Sequence, residues 1–223
     1  MYLSTDYTTL IPWALATTVA TMGLLVAERY GLVRLRAAFK TVAAFSFFGA
    51  ALAHSPTNSS FSLWVSVGLA SSVVGDLCLL QRGTGRVFTI GVGAFLVAHL
   101  AYTTAFIKLG VDWWFSGIFF VTILVPFGIK LIDWLLVDIP PKLEKPILVY
   151  TLVISVMMAL SIGVWAEHRD LGFIPLAACL FLISDVGVAI QRFKTPLFAH
   201  KVWSIPAYFI AQLLFAMHTL LPI

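Results

Sequence analysis

The stretch Val73–Leu80 reads VVGDLCLL and places an aspartate, Asp76, inside an otherwise apolar segment. A second stretch, Leu180–Val188, reads LFLISDVGV and does the same with Asp185. An ionisable side chain in a membrane helix is costly, and it usually faces the interior of a helix bundle or a water-filled cavity. Both stretches therefore predict helices that turn one polar side chain toward a shared interior.

The composition around these two stretches is that of a membrane protein. Of the 223 residues, 61% are hydrophobic and 11% are charged, and the mean hydropathy is +1.00. A soluble domain has roughly 25% charged residues. A membrane helix needs about 20 apolar residues, so the chain has room for about eight spans with short loops. A net charge of +4 in such a chain does not indicate nucleic-acid binding.

Eight apolar segments can be separated, and the absence of period-two alternation predicts helices rather than barrel strands. We therefore predict an all-α membrane protein with eight transmembrane helices in a single integral membrane domain, residues 1–223. The segments are Thr9–Ala27, Ala37–His54, Phe61–Leu80, Val87–Ile107, Trp113–Ile129, Pro146–Trp165, Leu171–Ile190 and Val202–Leu221.

Basic residues predict the orientation, because Lys and Arg concentrate in cytoplasmic loops. Twelve of the 14 fall in or beside the first, third, fifth and seventh connections, and only Lys108 and Arg169 fall on the other side. Both termini are therefore expected outside. The short loops favour a bacterial plasma membrane over the endoplasmic reticulum, which would be the location in a eukaryote.

The two halves of the chain resemble each other. GDLCLLQR (Gly75–Arg82) recurs as SDVGVAIQR (Ser184–Arg192), and AHLAY (Ala98–Tyr102) recurs as AQLLF (Ala211–Phe215). Four helices per half would give both repeats the same orientation. We predict two parallel four-helix repeats, residues 1–112 and 113–223.

Polar residues of several segments fall at one level of the predicted bundle. At about 1.5 Å per residue, Asp76 lies about 6 Å from the cytoplasmic end of its helix, and Asp185 lies at a similar depth. Two carboxylates that meet there cannot both ionise cheaply, so one is expected to stay protonated beside one anion. Two carboxyl groups with divided roles serve acetal-type hydrolysis. The other members of the level are Lys40, Tyr150, Tyr208 and Gln212, with His99 and Tyr102 deeper.

Each residue also has a structural interpretation. Either aspartate alone could hydrogen-bond a neighbouring helix, and Lys40 could extend to the headgroups. The tyrosines and His99 could be packing residues, and Gln212 could join two helices. A zinc site would have to use His54, His168 and His218 at the outer rim, beside Glu167 or Asp170, but no close histidine spacing supports it.

These motifs resemble the YhhN-like lysoplasmalogenases, a family of multi-spanning membrane hydrolases. Phe209 departs from the pattern, because related sequences often have a second tyrosine there. The matching residues are Lys40 in FKTVAAFSFFG, Asp76 in VGDLCLL, His99 and Tyr102 in GAFLVAHLAYTTAF, Tyr150 in ILVY, Ser184 and Asp185 in LFLISD, and Tyr208 and Gln212 in AYFIAQLL.

The resemblance implies hydrolysis of the vinyl ether bond of lysoplasmalogens. The products would be a fatty aldehyde and glycerophosphoethanolamine or glycerophosphocholine, and no metal or organic cofactor would be needed. Asp76 and Asp185 are the expected catalytic pair. The remaining seven matching residues are expected to bind the lysophospholipid substrate. Paired acids in duplicated halves would equally suit a proton-coupled transporter of a lipid or small molecule.

Overall fold

A computed structural model describes residues 7–53, 59–81 and 83–218. A short 3-10 turn, Tyr7–Leu10, precedes the first helix, and the fifth and sixth helices are joined by a π-helical segment, Phe120–Leu124. The α-helices are α1 (Ile11–Arg29), α2 (Val33–Leu52), α3 (Ser60–Cys78), α4 (Arg86–Leu109), α5 (Trp113–Phe119), α6 (Val125–Leu136), α7 (Pro141–Glu167), α8 (Phe173–Phe193) and α9 (Phe198–His218).

The all-α membrane class is confirmed. Seven helical stretches of the described residues are long and apolar enough to cross a membrane, with α5, the π-helical segment and α6 counting as one. The last helix, α9, is not among the seven, although it is 21 residues long. The count of eight spans and the placement of the termini stay predictions, and so does the division into two repeats.

Several helices extend beyond their apolar segments and include basic residues that the sequence placed in connections. Arg34 and Arg36 belong to α2, Lys142 and Lys145 to α7, and Lys201 to α9. The sequence-based boundaries were too short because hydropathy ends where the charges begin, whereas the helical backbone continues. Lys and Arg tolerate such positions because their long stems reach the interface.

Close helix pairs frame the interior: α1 packs on α2, α3 on α4, and α8 on α9. Two glycines beside the aspartates allow the latter two pairs to approach. A Cβ on Gly75 would lie 2.6 Å from the Phe95 ring, and one on Gly187 would lie 2.4 Å from the Cβ of Ser204. Small residues at such crossings are the usual means of tight packing between membrane helices.

The span formed by α5, the π-helical segment and α6 is the least buried of the seven. In α6 only Ile132 and Leu135 are buried, and Leu135 belongs to a small second core with Phe88, Ile139 and Leu143. The π-helical segment precedes Pro126 at the start of α6, and such segments often occur near functional sites. Residues of α6, α7 and α8 together line part of a cavity.

Candidate functional site

A cavity of about 600 Å³ opens between the helices and contains both aspartates in its lining. Its mouth lies at the end of the bundle that holds the α1–α2, α3–α4 and α8–α9 connections, because Gly83, Thr84 and Pro196 also line it. Asp76 on α3 and Asp185 on α8 line the same cavity. The structure therefore brings together two carboxyl groups that are more than 100 residues apart in the chain.

Asp76 on α3 has a fixed set of partners. The Lys40 ammonium on α2 lies 3.2 Å from Oδ1, and the Tyr208 hydroxyl on α9 donates to Oδ2 at 2.6 Å. Only 3% of the Asp76 side chain is exposed. Because a cation and a hydrogen-bond donor both stabilise negative charge, these contacts favour a carboxylate at this position.

Asp185 on α8 has a different environment. The Tyr150 hydroxyl on α7 donates to Oδ2 at 2.6 Å, and His99 Nε2 lies 3.5 Å from the same oxygen. Among the described residues, His99 is the one basic side chain within ion-pair distance of Asp185. The His99 side chain is fully buried, whereas 16% of the Asp185 side chain is exposed.

Three predicted binding residues lie behind the cavity wall rather than in it. His99, Tyr102 and Gln212 are fully buried, and none of them lines the cavity. Tyr102 donates to the Gln212 Oε1 at 2.8 Å, so α4 and α9 are joined one helical turn beyond Tyr208. These three residues therefore back the cavity wall in this structure, and their predicted contact with substrate stays a prediction.

The other predicted residues line the cavity directly: Lys40, Tyr150, Ser184 and Tyr208 do so together with the aspartates. Phe209, the position where the sequence departs from the family pattern, lines it too. Four hydroxyl-bearing residues that share this lining could not be predicted, because single Ser and Thr residues in apolar helices or short connections form no motif. They are Thr84, Thr151, Ser155 and Ser204.

A group of charged side chains at the cavity mouth was not predicted from the sequence. Glu28 on α1 lies 3.6 Å from Arg36 Nη1 and accepts a hydrogen bond from Lys201 Nζ at 2.6 Å. Arg192 on α8 lines the same mouth and donates to the carbonyls of Gln81 and Gly83. In the sequence these cations served only to predict the orientation of the helices.

The deep and lateral walls are apolar. Phe95, which lines the cavity, packs edge-on against Phe181 and Tyr208, with ring centroids 6.1 and 5.8 Å apart. Toward α6 and α7 the lining continues through Phe127, Leu131 and Ile147. The cavity thus has charged residues at its mouth, polar residues in the middle and an apolar branch lined by residues of α6 and α7.

The described residues contain no group of three or more His, Cys, Asp or Glu side chains that could hold a metal ion. Of the histidines considered for a zinc site, His168 contacts the Leu109 carbonyl through Nε2 at 3.1 Å. His54 lies outside the described residues. Cys78 and Cys179 are not joined by a disulfide.

The chain is similar in sequence to mammalian proteins that share one name. The chain is 29% identical over 157 residues to the lysoplasmalogenase TMEM86B of Sus scrofa, covering 70% of this chain and 63% of that protein. It is 31% identical over 160 residues to the Mus musculus protein of that name (71% and 65%), and 31% over 153 residues to the Homo sapiens one (68% and 61%). The chain thus spans less than two thirds of the length of these curated relatives.

No solved structure matches the chain. The model of the YhhN family matches residues 35–219, a range that includes both aspartates and all of the polar residues paired with them. The match covers most of the chain, and the similarity to the mammalian proteins agrees with it. The chain belongs to the YhhN family.

Proposed function

We propose that this protein is a lysoplasmalogenase, which hydrolyses the vinyl ether of lysoplasmalogens to a fatty aldehyde and a glycerophospho-ethanolamine or -choline. The observation that carries the proposal is the pair of differently partnered aspartates, Asp76 and Asp185, in one cavity with an apolar branch and a charged mouth. The similarity to mammalian proteins named lysoplasmalogenase TMEM86B supports the same activity.

The contacts support a division of labour between the two carboxyl groups. Asp76 is paired with Lys40 and so acts as the anion. Asp185 has Tyr150 on Oδ2, which leaves Oδ1 to hold a proton. Since two neighbouring carboxylates do not both ionise cheaply, the one without a lysine partner keeps the proton. Asp185 is therefore the general acid.

In the first step Asp185 transfers its proton to the β-carbon of the vinyl ether, and the electron pair of the double bond forms the new C–H bond. The product is an oxocarbenium ion, which the Asp76 carboxylate stabilises as in glycoside hydrolysis. Water then adds to the cationic carbon and gives its proton to Asp76. The resulting hemiacetal holds both the new hydroxyl and the glycerol ether oxygen.

Collapse of the hemiacetal restores both acids. The hemiacetal hydroxyl gives its proton to the Asp185 carboxylate as the carbonyl forms. The bond to the glycerol oxygen breaks, and that oxygen takes the proton from Asp76. One water is consumed, and the aldehyde and the glycerol alcohol leave with Asp185 protonated and Asp76 anionic, ready for another cycle.

The remaining polar residues act by position. Tyr150 and Tyr208 each donate to the Oδ2 of one aspartate and so fix the orientation of its carboxyl group. His99 supports Asp185, and the pair of Tyr102 and Gln212 supports the wall behind Tyr208. Ser184 lines the cavity next to Asp185 and is available to the water or the glycerol hydroxyl.

We further propose that α9 completes eight spans, that both termini face outside, and that the charged mouth faces the cytoplasm. The concentration of basic residues at that end supports this orientation. A bacterial plasma membrane is the proposed location. A one-chain lipid then reaches the cavity with its headgroup at the cytoplasmic surface.

The alkenyl chain is expected to occupy the apolar branch that Phe127, Leu131 and Ile147 line. Ala189 lines the cavity and packs in the same small cluster as Leu131 and Ile147. A Trp at this position would occupy the space that we assign to the alkenyl chain. Forcing the chain in beside it should cost about 1–3 kcal/mol of binding free energy, as overpacking does in protein cores. Ala189→Trp should therefore reduce kcat/KM roughly tenfold or more for a long-chain lysoplasmalogen, while a short-chain analogue keeps its rate. The measurement is aldehyde release from the two substrates.

The matched control is Ile183→Trp, on the same helix but exposed and outside the cavity lining. It should not distinguish the two chain lengths. Equal losses on both substrates with Ala189→Trp would contradict this path for the chain.

The test of the function is aldehyde release from lysoplasmenylethanolamine by the purified protein in detergent. Turnover is expected, together with one deuterium at the α-carbon of the aldehyde when the reaction runs in D2O, because the proton added to carbon comes from an exchangeable carboxyl. No turnover, combined with uptake of the intact lipid by proteoliposomes, would favour a carrier instead.

A further inference from the structure

We infer that the charged mouth of the cavity is a binding site for the phosphate group of the substrate headgroup. This inference rests on the proposed function for the identity of the lipid. The four residues of this group, here called the mouth cluster, are Glu28, Arg36, Arg192 and Lys201, and all of them line the cavity that contains the aspartates.

The mouth cluster contains three cationic side chains but only one carboxylate. Glu28 faces both Arg36 and Lys201, so one carboxylate is shared by two cations. Arg192 adds a third cation, and Arg192 and Arg36 both donate to backbone carbonyls of the α3–α4 connection. Like charges held near one another are stabilised by an anion between them, and a phosphodiester supplies one.

The hydrogen-bond inventory points the same way. Arg36 uses Nη2 to donate to the Leu80 carbonyl and Nη1 to face Glu28. Its buried Nε has no hydrogen-bond partner among the described residues. Only 13% of the Arg36 side chain is exposed. Guanidinium groups in such positions bind phosphate oxygens with paired, charge-assisted hydrogen bonds.

The spacing from the aspartates suits a glycerol backbone. Arg36 and Lys40 lie one helical turn apart on α2, ~6 Å along the axis, and Lys40 contacts Asp76. A lysoplasmalogen has the glycerol carbons between its vinyl ether oxygen and its phosphate, a comparable length. With the vinyl ether at the aspartates, the phosphate reaches Arg36 and Lys201, and Glu28 is left to meet the headgroup ammonium.

The test compares lysoplasmenylethanolamine with 1-alkenylglycerol, which has the same vinyl ether but no phosphate. Arg36→Gln and Lys201→Gln should each raise KM for the phospholipid roughly 10- to 100-fold, the effect of one charge-assisted contact, with kcat nearly unchanged. Neither variant should change KM for 1-alkenylglycerol. Arg34→Gln is the matched control, because Arg34 lies on the same helix but is exposed and outside the cavity lining.

A phospholipid KM that both variants leave unchanged, or equal losses on the two substrates, would overturn the phosphate site. Hydrolysis of neither substrate by the wild-type protein would instead overturn the proposed function.

A competition measurement needs no variant. Glycerophosphoethanolamine should inhibit hydrolysis of 1-alkenylglycerol by the wild-type protein, and glycerol should not. Equal inhibition by inorganic phosphate would assign the site to phosphate from any source, whereas stronger inhibition by the glycerophosphodiester would assign it to the lipid headgroup. No inhibition by either phosphate compound would overturn the site.

Discussion

Asp185→Asn is expected to reduce aldehyde release by about 10²–10⁴-fold, the range that general acid catalysis contributes. An amide has the size of the carboxyl group but no proton acidic enough to transfer to carbon. The Tyr150 hydroxyl can still donate to the amide oxygen, so the fold should survive. The measurement is the rate of aldehyde release from lysoplasmenylethanolamine, compared with the elution profile and thermal midpoint in detergent.

The pH dependence of the remaining rate separates the two aspartates. Without Asp185, hydronium must protonate the vinyl ether, so residual hydrolysis should rise about tenfold for each unit decrease in pH, in proportion to the hydronium concentration. Asp76→Asn should also abolish turnover but without this rise, because its acid remains. The opposite pattern would exchange the two roles, and full activity of either variant would remove the pair from the mechanism.

Asp133→Asn is the matched control for both. This carboxylate is also on a membrane helix, α6, but it is exposed and outside the cavity lining. It should keep the wild-type rate. A comparable loss in Asp133→Asn would indicate that carboxylate substitutions disturb the bundle generally rather than the reaction.

Lys40→Met is expected to destabilise the protein by roughly 3–5 kcal/mol and to abolish activity. It removes the cation from a carboxylate of which only 3% is exposed, and breaking one side of a buried ion pair leaves an uncompensated charge. The hydrogen bond from Tyr208 remains but supplies no charge. The measurement is the thermal midpoint in detergent, together with aldehyde release.

The double variant Lys40→Met/Asp76→Asn removes both charges and completes a double-mutant cycle for the ion pair. Its stability should return most of the way to wild type, because replacing a whole buried pair is close to neutral, while its activity stays absent. Lys130→Met, on an exposed residue of α6, is the control for losing a lysine. If Lys40→Met alone is as stable as wild type, the pairing of Lys40 with Asp76 is not what holds the carboxylate.

How much of the site could be predicted from the sequence differs from residue to residue. Asp76, Asp185 and Lys40 stand out because charges in apolar helices are rare, and their shared depth follows from the rise of a helix. Which side chain partners which aspartate does not follow from depth. Tyr150 and Tyr208 lie at the same level, and only the rotation and packing of α7 and α9 bring one to Asp185 and the other to Asp76.

The contacts within the mouth cluster could not be predicted from the sequence either. Arg36 and Lys201 were visible in the sequence, but as a count of cations that predicted orientation. Glu28, which joins them, sits at the end of α1 with no motif around it. Contacts between residues more than 170 positions apart depend on how helices are arranged around a common centre, and hydropathy carries no information about that arrangement.

By itself the sequence determined that this chain is a bundle of membrane helices with acidic and basic groups concentrated at one level, because lipid leaves the backbone few alternatives and makes each buried charge conspicuous. The tertiary structure alone decided that the two aspartates line one cavity, that a lysine accompanies only one of them, and that His99, Tyr102 and Gln212 lie behind the wall. The physical reason is that these relations depend on the rotation and close packing of neighbouring helices, which small residues such as Gly75 and Gly187 permit but do not specify.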